Sequence, residues 1–200
     1  MTAKISQSHT RVRGEGGFSL LEVMFSTVVM TVGLVSLLAV MAIAMASTQT
    51  SEQLAVSKRL ANEAMESILT ARETANVQWS QIANGNCAVG TGCTTGIFLA
   101  GAQAINLPGV DGIVGTSDDS VAGPQVLEQP GPTGVYAGTC PPDNCISLTN
   151  YTRTIAITPY VAAGVPIDNL NSVTITVTYL NPQLKVPQSY VLQSLISQYR

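Results

Sequence analysis

Gly17-Phe18-Ser19-Leu20-Leu21-Glu22-Val23 opens an apolar run that continues to Ser47. No Asp, Glu, Lys, Arg or His occurs between Glu22 and Glu52, and Val, Leu, Met and Ala dominate the stretch. A bilayer core of about 30 Å is crossed by about 20 helical residues rising 1.5 Å each, so Phe18 to Ser47 spans it with residues to spare. The same run explains an odd composition: 10% of the 200 residues are charged while 46% are hydrophobic, against about 25% charged in soluble domains.

Outward from this run, residues 1–17 are polar, carry Lys4, Arg11 and Arg13 against Glu15, and end in Gly14-Glu15-Gly16-Gly17. Cations before an apolar span hold that end in the cytoplasm. An ordinary secretory leader would end its apolar core in an Ala-x-Ala-like site; Ala42-Ile43-Ala44 and Ala44-Met45-Ala46 match it only imperfectly.

On the other side, Leu60, Ala61, Ala64, Met65, Ile68 and Leu69 recur at helical spacing, while Lys58, Arg59, Glu63, Glu66 and Glu73 fall mostly elsewhere. An amphipathic helix is predicted to continue the apolar one through residues 48–78. With no Pro before Pro108, nothing forces a break from about Phe18 to about Ala75. Residues 79–148 hold most of the Gly and Pro and read as a loop-rich insert with one short strand at Ile97 to Ala100. Residues 149–200 are rich in Thr, Val, Ile and Tyr. There Tyr151 to Val161, Ser172 to Leu180 and Ser189 to Tyr199 are expected as antiparallel strands, joined by turns at Val165 to Asn171 and Asn181 to Gln183. The fold class is α+β, a long helix packed on a small antiparallel sheet.

The Gly-Phe-Ser-Leu-Leu-Glu-Val string before the apolar run resembles the prepilin processing site of type IV pilins and type II secretion pseudopilins. The resemblance covers the leader, the junction and the helix to about Ala75. It implies cleavage after Gly17 by a prepilin peptidase, N-methylation of the new amino group on Phe18, and retention of the helix in the inner membrane with the head in the periplasm. It also implies that Glu22 pairs with the N-terminus of a neighbouring pilin subunit during assembly into a pilus or pseudopilus. A carboxylate at the edge of an apolar helix is costly to insert and usually faces a partner, which agrees with that role. No proline divides the apolar helix, and Met24 to Ser36, with Val-Gly-Leu at 32–34, is similar to the minor subunits of the family. The alternative is a signal-anchored periplasmic module, calcium-binding or adhesive, that does not assemble.

The head carries weaker signals. Asp111, Asp118 and Asp119 surround Gly112 and Gly115, and hard oxygen ligands on a turning backbone suit Ca²⁺. A solvated turn is the alternative, because the EF-hand spacing and its bidentate Glu are missing. Cys87 with Cys93 and Cys140 with Cys145 form two close pairs that fit local disulfides in an oxidising compartment. A four-thiolate zinc site would use tighter spacing. The one histidine, His9, lies in the leader. Without it the usual acid–base agent is missing, and no nucleophile or phosphate-loop motif is present, so no enzymatic activity is expected. A net charge of −3, with no basic cluster beyond Lys58-Arg59, gives no case for a nucleic-acid partner. Tyr151, Tyr160, Tyr179 and Tyr190 read as strand-packing residues.

Overall fold

The computed structural model describes residues 19–89, 95–128, 145–181 and 185–199. The chain divides into two compact units, one ending at Ala46 and the other starting at Ser47. Helix α1, Leu20–Glu73, contributes residues to both. It starts two residues after Phe18 and ends at Glu73, short of the expected limit at residue 78, and no internal proline interrupts it.

In the first unit every described residue from Ser19 to Met45 is exposed. This part of α1 is long and apolar enough to cross a membrane, consistent with single-pass anchoring.

In the second unit α1 buries Val56, Leu60, Ala61, Ala64, Met65, Ile68 and Ala71. These positions recur at three and four residues, so they form one stripe, while Lys58, Arg59 and Glu66 stay exposed. The stripe joins a core supplied by one face of a four-stranded sheet. That sheet has the order β1 (Ala102–Ala104), β4 (Tyr151–Ala162), β5 (Val165–Leu180), β6 (Pro187–Ser197), with every neighbouring pair antiparallel. Tyr151, Ile155 and Ile157 of β4 and Val173, Ile175, Val177 and Tyr179 of β5 are buried. Both sets alternate with less buried positions, as a sheet with one covered face requires. Tyr151 and Tyr179 face each other across the ladder, their ring centroids 5.7 Å apart, a tilted aromatic pair that adds to simple burial.

Three expectations need correction. First, Val165 to Asn171 is not a connecting turn. The turn is only Ala163-Gly164, both at positive φ (50° and 84°), and β5 starts immediately after it. A two-residue loop of this kind twists with the strands it joins, so the ladder extends to the tip of the hairpin. Second, Ile97 to Ala100 forms no strand; Phe98 makes a single bridge with Asn84, and the strand of this region is β1. Third, the loop-rich insert contributes to the core. Ile82, Ile97, Phe98, Ile105, Ile113, Val114, Leu127 and Leu148 all lie in the core. The insert also contains a 3₁₀ turn at Trp79–Gln81, a short helix α2 at Asp119–Ala122, and the paired strands β2 (Val126–Glu128) and β3 (Cys145–Ser147).

Candidate functional site

Two groups of residues carry the sequence-level expectations: the start of α1 and the acidic loop of the head. Gly17 and Phe18 lie outside the described residues, and Glu22 sits in the first turn of α1. The backbone N–H groups of Glu22 and Val23 donate to the Ser19 carbonyl at 2.9 and 3.2 Å, so Glu22 is held in regular helix. A negative side chain in this turn also complements the helix dipole. From Leu20 to Met45 the chain has four hydroxyl side chains, and each donates to a carbonyl of the preceding turn. Ser26 bonds Val23 O at 2.9 Å, Thr27 bonds Met24 O at 2.9 Å, Thr31 bonds Val28 O at 2.8 Å and Ser36 bonds Val32 O at 2.8 Å. Such back-bonding satisfies hydroxyls where no water is available. Glu22 is different. Its carboxylate is exposed and has no hydrogen bond or ion pair among the described residues.

In the acidic loop each carboxylate accepts from the loop's own donors. Asp111 Oδ1 accepts from the Ile113 N–H at 2.7 Å. Asp118 accepts from the Thr116 hydroxyl at 2.6 Å and from the Asp111 N–H at 3.2 Å. Asp119, 6% exposed, accepts from the Gly109 and Gly115 N–H groups at 3.2 and 2.6 Å. A Cβ at Gly109 would meet the Asp118 carboxylate, which would have to move to make room for it. Burial raises the pKa of Asp119 above the ordinary 3.8 despite the N–H groups of Gly115 and Gly109 and the charge of Arg153. Burial likewise raises Asp111. At Asp118 burial pushes upward, but the Thr116 hydroxyl and the N–H groups of Asp111, Asp118 and Val110 together hold the pKa below 3.8.

This arrangement does not fit a calcium cage. Among the described residues no group of three or more acidic, histidine or cysteine side chains is placed to hold a metal ion. Asp111 makes an ordinary Asx turn with Ile113, and Asp118 and Asp119 accept from donors elsewhere in the loop. Cys87 and Cys145 are both disulfide-bonded. Cys93 and Cys140, and with them the expected pairing, lie outside the described residues.

Sequence reasoning missed two polar residues that organise the head. Asn84 donates to Ile155 O and accepts from the Ile157 N–H, both at 2.7 Å. Its side chain thereby continues along β4 the pairing that β1 makes at Thr152 to Thr154. Arg153 is a cation buried to 2% exposure on the core face of β4. Alternation in Tyr151 to Ile157 places residue 153 inward and was the one available signal for it. Compared with protein-family models, with curated proteins and with solved structures, the chain finds no match.

Proposed function

We propose that this chain is a structural minor subunit of a type IV pilin-like assembly. It is made as an inner-membrane precursor with its head in the periplasm, cut by a prepilin peptidase after Gly17, methylated on Phe18, and joined to other subunits through α1. The observation that carries this reading is the Glu22 carboxylate, which has no partner among the described residues, at the start of an exposed apolar stretch whose hydroxyl groups from Leu20 to Met45 all bond back to their own helix. An ionised group at that position favours a cationic partner, and an α-amino group exposed by cleavage beside it on a neighbouring subunit supplies one. The Gly-Phe-Ser-Leu-Leu-Glu-Val string supports the same reading.

Mass spectrometry of the purified protein tests the proposal. The expected mature chain begins at Phe18, and Gly17→Leu is expected to leave the precursor uncut in the membrane. A wild-type chain that keeps residues 1–17 would instead fit a plain anchor carrying a periplasmic module.

A further inference from the structure

Arg153 stands opposite Val177 of β5, between the inward residues Tyr151 and Ile155. Its Nη1 is buried and has no hydrogen-bond partner. Among the described residues no carboxylate lies within 4.0 Å of it. A buried cation is retained only when it is paired or hydrogen-bonded. The carboxylates whose charge reaches it are those of Glu63 on α1 and Asp119.

Arg153 also lines a small cavity of about 30 Å³, together with Asp119, Asn106, Gln103, Thr116 and Ser120. A water needs about 10 to 15 Å³ of such space and two to four polar partners. Each Asp119 oxygen accepts one backbone N–H and keeps capacity for a second donor. We infer that this cavity is a binding site for one ordered water, which accepts from Arg153 Nη1 and donates to the Asp119 carboxylate. The water converts two separated buried charges into a bridged pair. It seats the acidic loop on the sheet, and Asp119 thus has a task inside the head in addition to bonding Gly109 and Gly115. This inference is independent of the assembly role proposed for α1.

The test is a structure of the full chain in detergent at a resolution that shows water. The expected result is a water at about 2.7 to 3.2 Å from both Arg153 Nη1 and an Asp119 oxygen. A dry cavity, a bound anion, or a direct Arg153–Asp119 contact would overturn it. A double-mutant cycle with Arg153→Met and Asp119→Asn gives a second readout. The two substitutions should be coupled by about tenfold in the folded-to-unfolded ratio, so that either costs much less once the other is present. Effects that simply multiply would contradict the bridge.

Discussion

The two halves of α1 share one backbone conformation and differ in where their polar side chains turn. Up to Met45 the hydroxyls fold back on their own helix, so the surface offers hydrocarbon and, at its start, the one carboxylate of Glu22. Beyond Ser47 some hydroxyls still bond back, Ser51 to Ser47 O and Ser57 to Gln53 O, but other polar groups reach to other elements. Ser67 accepts from the Val114 N–H at 3.0 Å, Glu63 accepts from Gln125 Nε2 at 3.1 Å, and Arg72 donates to Ser197 O at 3.2 Å. The apolar residues divide in the same way: exposed on all sides in the first half, gathered into one buried stripe in the second. A helix built for lipid or for neighbouring helices can be apolar all round, whereas one that packs on a sheet needs only one such face.

Core truncation should break this contrast most strongly. Leu60 is fully buried, so Leu60→Ala is expected to lower head stability by about 2 to 5 kcal/mol. Leu34 is 52% exposed, and Leu34→Ala should leave the head's unfolding midpoint within about 0.5 kcal/mol of wild type. Denaturant unfolding followed by near-UV circular dichroism reads both, and equal losses would erase the distinction between the halves.

A smaller effect compares hydroxyls. Ser67→Ala leaves the N–H of the buried Val114 without its acceptor and should cost about 1 to 3 kcal/mol. Ser36→Ala removes only a bond internal to the helix and should not move the same unfolding curve.

The smallest effect is the pH response of the acidic loop. Asp111 and Asp119 are held above 3.8, so as pH falls toward that value the folded head takes up protons before the unfolded chain does, and stability rises. Asp118 is held below 3.8, so its contribution, fully present above that value, is lost as pH falls through its lowered pKa. Urea midpoints measured from neutral pH downward should therefore pass through a shallow maximum in mild acid, and Asp119→Asn should flatten it. A steady decline from neutral pH would contradict the burial of Asp119.

Much of this fold was legible because it rests on local patterns. The charge-free run and its amphipathic continuation show one unbroken α1 and place its start within two residues, though they overrun its end by five, and alternation in Tyr151 to Ile157 and Val173 to Tyr179 identifies the core face of the sheet. The insert was not legible, because its order comes from distant partners. Asn84 pairs with β4, residues 71 and 73 positions away, and Phe98 is buried by neighbours that no short-range periodicity reveals. The aspartates suggested a metal site through residue type alone. Their actual use depends on which backbone N–H groups the loop turns inward, and composition does not encode that. Of the proposed assembly site, the sequence displays the junction and Glu22, and the structure adds that the carboxylate has no partner among the described residues.

Incorporation of Glu22→Ala protein into the assembled fibre tests the central claim most directly. Removing one partner of a charge pair formed away from water costs about 3 to 5 kcal/mol, a loss of more than a hundredfold at about 1.4 kcal/mol per factor of ten. The predicted result is a variant present in the inner membrane at the wild-type level and cleaved before Phe18, yet depleted at least a hundredfold from sheared filaments or isolated tip complexes, with Glu22→Asp between the two. Recovery of the Ala variant in the fibre at the wild-type level would contradict the pairing and leave α1 as a membrane anchor alone.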